Sequence, residues 1–384
     1  MAVISSIQEV EISVGSGSTS GTATISSVTT ANSIVLFSYA FYGGQRQTST
    51  IDAGDHILFG VELTNSTTVT AYRDTSNQAA TVVATVIEFD SSVIDSIQSG
   101  TIATSSSSGT DTITSVNTSR SVVIHQGQKS DDTGNDIFSG IHTLSLTNST
   151  TVTATNSLLF GSSNATLYYT VIEFASGVVD SVQEFDITIA SGTSNTATIT
   201  SVVTGQSCIF AGGLRPTSTS DRFSRPDHLP KVELTNSTTV TATIDTADAA
   251  YAPKIVGTVV EWNSDYIESI QRGTYTFVSS SANSITAITS VDTSKSFVQC
   301  LGANCGDVSL NPEDQFFTAE IDTATAIRFK KGTTGTTMSI PYEVVEFSDG
   351  PAAGYANNVN GVSNAAIGEV IDVLKANIDN VMGS

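Results

Sequence analysis

Carboxylates and histidines are the residues in this chain whose types and spacing could do chemistry, and the carboxylates recur. Glu88, Glu173, Glu261 and Glu346 each take the third place of a four-residue block: Val86-Ile87-Glu88-Phe89, then residues 171–174, 259–262 and 344–347. Acid–base or nucleophilic work by a carboxylate needs a second group placed beside it. None recurs, because the position that carries Arg120 and Lys295 in two copies carries Asn32 and Gln206 in the others. The spacing therefore predicts a strand carboxylate that accepts backbone or hydroxyl hydrogen bonds, and no enzyme activity.

The four histidines, His56, His125, His142 and His228, fall in or near segments that differ between copies. Asp55-His56 and Asp227-His228 look alike, but the second copy has Ile141-His142, so neither a metal set nor a Ser/His/Asp arrangement is supported. Ser130-Asp131-Asp132-Thr133-Gly134-Asn135-Asp136 is oxygen-rich like a calcium loop. It lacks the alternating ligand order and the distal bidentate Glu, and reads as an acidic turn. Asn65-Ser66-Thr67, Asn148-Ser149-Thr150 and Asn236-Ser237-Thr238 fit the glycosylation acceptor pattern, but without an export signal they read as hairpin turns. Cys208, Cys300 and Cys305 are too few for a disulfide framework; Cys300 and Cys305 could pair, and reduced, partly buried thiols are the expectation. With no phosphate-binding glycine loop, zinc spacing or nucleophile elbow, no cofactor and no metal are expected.

The elements that hold these residues repeat. Leu63-Thr64-Asn65-Ser66-Thr67-Thr68-Val69-Thr70-Ala71 returns unchanged at 146–154 and 234–242, and decayed at 321–327. Ile4-Ser5-Ser6-Ile7-Gln8 returns at 94–98, 179–183 and 267–271. The period is about 85 residues, long enough for each copy to hold a core and too long for a solenoid. Period-2 stretches alternate with Gly, Asn and Ser turn signals, and Val82, Val83, Val86, Ile87 and Phe89 put apolar groups on both faces of one strand, which should be central. The predicted fold is all-β: four tandem β-sandwiches, Ig-like or jelly-roll-like, at 1–90, 91–175, 176–263 and 264–348. Linkers of about four residues are too short for free tumbling, and the expected arrangement is beads in a row, on the order of 120 Å long.

A linker at 349–362 precedes an amphipathic helix at 363–384. Ile367, Ile371, Leu374, Ile378 and Val381 follow a 4-3-4-3 spacing, the seam of a short coiled coil that would support a homodimer or homotrimer or dock on a partner. Packing of the same helix on the last sandwich is the alternative, since Val370 and Val373 widen the stripe.

Composition sets the outer limits. Hydrophobic residues make up 39% and charged residues only 14%, with a net charge of −22. A field of that sign repels phosphate backbones, so nucleic acid is excluded as a partner. The first residues lack the basic and apolar regions of a secretory leader, and no run of about 18 apolar residues occurs, so neither export by that route nor membrane insertion is expected. The segments 40–58, 126–142, 211–230 and 302–316 occupy one equivalent place in each copy and share almost nothing beyond Gly, Asp and Arg, as binding loops on a repeated scaffold do.

An acidic, Ser/Thr/Gly-rich chain of tandem β units, carrying the Leu-Thr-Asn-Ser-Thr-Thr-Val and Val-Ile-Glu-Phe repeats and a terminal helix, resembles the exterior proteins of tailed bacteriophages: tail fibres, head fibres and decoration proteins. The resemblance implies a non-enzymatic component of the virion exterior, made in the host cytoplasm and joined to other virion proteins, with a host-surface glycan or protein as a candidate further partner. A cell-surface adhesin or filament subunit is the competing class, and a glycan-binding or glycan-degrading protein the third.

Overall fold

The computed structural model describes residues 2–37, 45–47, 58–76, 79–104, 108–130, 141–156, 164–217, 230–246, 252–305, 316–332, 334–335 and 337–351. The expected C-terminal helix, with the Ile367, Ile371, Leu374, Ile378 and Val381 seam, falls outside these residues, as do His56, His228 and most of the expected acidic turn at 130–136.

Unit 1 consists of β1 (Ile4–Val14), β2 (Ser20–Thr24), β3 (Ser33–Leu36), β4 (Gln45–Gln47), β5 (Gly60–Asn65), β6 (Thr68–Tyr72) and β7 (Ala80–Phe89). Unit 2 has β8 (Ile94–Thr104), β9 (Ser108–Thr112), β10 (Ser121–Ser130), β11 (Thr143–Asn148), β12 (Thr151–Thr155) and β13 (Ala165–Phe174). Unit 3 repeats them as β14 (Val179–Thr188), β15 (Ser194–Thr198), β16 (Ser207–Pro216), β17 (Lys231–Asn236), β18 (Thr239–Thr243) and β19 (Pro253–Trp262). Unit 4 comprises β20 (Ile267–Phe277), β21 (Asn283–Ala287), β22 (Ser296–Cys300), β23 (Asn304–Cys305), β24 (Phe317–Thr323), β25 (Ala326–Lys331) and β26 (Met338–Phe347).

Every unit is a sandwich of two antiparallel sheets. In unit 1 these are β1-β7-β3 and β2-β6-β5, and the other units follow the same order. Numbering the six principal strands of a unit in chain order, the sheets read 1-6-3 and 2-5-4. This is the winding of a small jelly roll, and it settles the choice against an immunoglobulin sandwich. The Val-Ile-Glu-Phe strand is central in each first sheet, as its apolar residues on both faces require. Alternation on the outer strands is plain: β2 and β9 expose every second residue, Thr and Ser among them.

The units do not form a row. The fourth strand of one unit touches the third strand of the next: Gly60 opposes Gly127, Thr143 opposes Gly213, and a bridge joins Lys231 to Gly302. The series then closes on itself. β24 and β25 lie against β4, and β24 also meets β7, with Lys330 Nζ 3.4 Å from Glu11 Oε1. At the centre, the last residue of each Val-Ile-Glu-Phe block meets its two neighbours. Ring centroids are 6.1 Å apart for Phe89–Phe174, 4.9 Å for Phe174–Trp262, 5.1 Å for Trp262–Phe347 and 5.8 Å for Phe347–Phe89, all edge-on. Around them one apolar cluster draws Ile34, Ile87, Val122, Ile172, Cys208, Val260, Phe297 and Val345 from all four units.

The reason the expected row is replaced by a ring lies in the central strand. Its Val82, Ala84 and Val86 face the unit's own sandwich, whereas Ile87 and Phe89 belong to the shared axial cluster. In a row those outward groups would stay wet; closing four units around an axis buries them, at about 25 cal/mol per Å² of apolar surface.

Candidate functional site

The repeated carboxylates are held as the sequence predicts, as structural acceptors. Thr29 N donates to Glu88 Oε1 at 2.7 Å and Ser6 Oγ to Oε2 at 3.1 Å. Val203 N and Ser181 Oγ serve Glu261 at 2.6 and 3.0 Å, and Asp292 N and Ser269 Oγ serve Glu346 at 2.7 and 2.9 Å. Glu173 receives Asn117 N at 3.1 Å, Ser96 Oγ at 3.4 Å and Arg120 Nη2 at 2.9 Å. In each unit the carboxylate thus ties the first strand and the turn before the third strand to the central one. A glutamine does the same beside it. Gln8 Oε1 accepts from Ser26 N at 2.7 Å while its Nε2 donates to Ser26 O at 3.1 Å, copying a backbone pair. Gln98, Gln183 and Gln271 repeat this on Thr114, Thr200 and Thr289.

The other flagged groups also resolve into packing. Asn65, Asn148 and Asn236 each accept, through Oδ1, the backbone N–H two residues on at 2.9 Å and that threonine's hydroxyl at 3.1 Å, which are the hairpin turns expected. Cys208, Cys300 and Cys305 are buried thiols outside any disulfide, and Trp262 Nε1 donates to Cys208 Sγ at 3.4 Å. Burial pushes the Cys208 and Cys300 thiols up, out of the reactive range. His125 and His142 are buried beside each other. Gly127 N donates to His125 Nδ1 at 2.9 Å, and burial, with His142 as a second cause, lowers the His125 pKa to about 3. His142 Nε2 bonds Thr104 Oγ1 at 2.9 Å. Among the described residues no group of three His, Cys, Asp or Glu is placed to hold a metal ion, and no helix is long and apolar enough to cross a membrane.

What the repeat pattern does not reveal is the set of clefts between units. Each is bounded by the fourth strand of one unit and the first and last strands of the next. The cleft between units 1 and 2 includes Glu62, Ser99 and Thr170, and that between units 3 and 4 includes Glu233, Arg272 and Glu343. The cleft between units 2 and 3, of about 420 Å³, includes Ser145, Glu184 and Thr258. The equivalent positions differ in charge from one junction to the next, which is the signal that a search for identity between copies passes over. Between units 3 and 4 the difference is used for cohesion. Glu343, 1% exposed, accepts from Arg272 Nε at 2.9 Å, Gln299 Nε2 at 2.8 Å and Ile209 N of the neighbouring unit at 2.9 Å. Arg272 also donates to the carbonyls of Thr204 and Ser207. With three donors on the carboxylate, such a buried pair holds a junction, and truncating one partner costs about 3 to 5 kcal/mol.

No family model and no curated protein matches the chain. Among solved structures, one described as "The Triple Jelly Roll Fold and Turret Assembly in an Archaeal Virus" aligns over 90% of this chain and 91% of its own at 11% identity, with a TM-score of 0.13. Another, from Sulfolobus Turreted Icosahedral Virus, aligns over the same shares at 10% identity and a TM-score of 0.14. Scores of this size carry no argument about fold or function, and the jelly-roll winding above rests on the strand order of this chain alone.

Proposed function

We propose that the protein is a non-enzymatic structural component of a virion exterior, and within that class a compact decoration or spike-head module. The observation that carries this reading is the ring closed around the four edge-on aromatics. A closed ring has no shaft, so the reach expected of a fibre is not what this chain supplies. It supplies a rigid platform on which the recurring carboxylates and glutamines are spent on internal hydrogen bonds. The segments that differ between units begin within or just after the third strand of each, so variation falls at one equivalent place in every unit, as it does in binding loops on a repeated scaffold. The strongly acidic charge keeps such a surface soluble and away from nucleic acid.

Antibody raised against the purified chain, applied with gold label to intact particles from a producing culture, is expected to decorate the particle exterior. Label confined to the cell envelope, with bare particles, would overturn the reading in favour of an adhesin.

A further inference from the structure

The junction between units 2 and 3 departs from its counterparts in three places at once. On the fourth strand, at the residue before Leu63, Leu146, Leu234 or Ile321, units 1, 3 and 4 carry Glu62, Glu233 and Glu320, and each is engaged: Tyr72 Oη donates to Glu62 at 2.9 Å, Lys231 pairs with Glu233 at 3.1 Å, and Lys330 with Glu320 at 2.6 Å. Unit 2 carries Ser145 there. Between units 1 and 2 the outer cleft is filled by Tyr72 stacked on Tyr168, with centroids 5.6 Å apart; the matching residues between units 2 and 3 are Thr155 and Val256, and the space stands open. Lys129, on β10, pairs with Asp74 of unit 1 at 3.8 Å. Its counterpart on β16, Arg215, makes no hydrogen bond or ion pair among the described residues, and its Nε is buried.

Arg215 is therefore a half-buried guanidinium with an unbonded Nε at the wall of an open cleft, its charge favoured by nearby Asp186 but not paired with it, at the junction where the usual carboxylate is missing. Lys254 is already taken by Asp186, and Glu184 accepts from Leu146 N at 3.3 Å. Thr143, Ser145, Thr155 and Thr258 add hydroxyls, so the lining is polar. A volume of about 420 Å³ suits one or two sugar rings. A ligand that fits must bring a carboxylate for Arg215 and hydroxyls that donate to Asp186 and Glu184 and accept from the threonines. Planar, forked pairing is what a guanidinium offers a carboxylate.

We infer that the cleft between units 2 and 3 binds an acidic saccharide, with Arg215 holding the sugar carboxylate.

The purified full-length chain suffices for the test, so failure here is separable from failure of the virion assignment. Methyl glucuronide, methyl glucoside and propionate are titrated against it by ligand-observed NMR. Saturable binding of the glucuronide in the millimolar range is expected, with the glucoside and propionate each about tenfold weaker or more. Arg215→Gln should remove the preference for the glucuronide. Ser145→Glu, which restores the carboxylate present at the other junctions, should also abolish binding while leaving the melting temperature unchanged or higher, so that loss of binding is not confused with loss of fold. No saturable glucuronide binding at roughly 50 mM, equal binding of the glucoside or propionate, or undiminished binding in Ser145→Glu overturns the assignment.

Discussion

Glu9 shows how a single side chain can make the ring's closure depend on pH. It stands on β1 at the position that carries Ser99, Glu184 and Arg272 in the other units, and it faces unit 4 across the closing seam. Desolvation, then the nearby charges of Glu320 and Glu11, raise its carboxyl to about 8, with Lys330 opposing. More than a third of the residue stays exposed, so water moderates the effect. A carboxyl whose folded pKa lies above its ordinary 4.5 makes the folded chain hold a proton that the unfolded chain gives up. Its stabilising share is present below about pH 4.5 and is lost as pH rises towards 8. The melting temperature should accordingly fall between pH 5.5 and 8.5, and Glu9→Gln should flatten that fall. An identical slope in the variant would mean that Glu9 is not crowded by unit 4. Sequence reading finds the four recurring glutamates because they repeat, and finds their role because no partner repeats with them. Glu9, Arg272 and Arg215 escape it for the same reason, since each acts in one junction only.

At the scale of elements, the junctions depend on where the third strand bends. Gly127, Gly213 and Gly302 occupy equivalent positions with φ of 82°, 108° and 88°, and Gly127 and Gly213 sit where the register with the central strand shifts by a residue. This is the bulge that needs a left-handed residue, and it turns the strand end towards the preceding unit. A Cβ on Gly213 would stand 2.6 Å from His142 O, in the strand-to-strand contact itself. Gly177, in the linker between units 2 and 3, also has a positive φ, of 85°, but an added Cβ meets nothing within 4 Å. Gly177→Ala should therefore cost about 1 kcal/mol of left-handed strain, and Gly213→Ala several times that in urea unfolding, because neighbouring backbone must also move. Equal costs would deny the junction its role. The strands themselves were legible from alternation and turn residues. The bulges were not, because a glycine in three copies out of four looks like ordinary loop composition until the strands on either side are placed.

For the whole molecule, the repeat reveals how many units there are, and the connection between them has to come from burial. Three short linkers are compatible with a row or a ring. The deciding residues are Ile87 and Phe89 and their counterparts, apolar on the face that points away from the unit's own sandwich. Read as marks of a central strand they are correctly placed; read as surface that needs a cover they call for closure, with Trp262 the largest member of the axial cluster. The ring in turn underlies both functional readings, since the platform and the cleft beside Arg215 exist only if consecutive units are locked together. Small-angle X-ray scattering from the monomeric fraction of the full chain tests that closure most directly. Four units around one axis predict a radius of gyration near the compact value for 384 residues, about 21 Å, raised by a few Å at most by the C-terminal segment. Four beads in a line of about 120 Å would give about 35 Å, and a value in that range would contradict the ring.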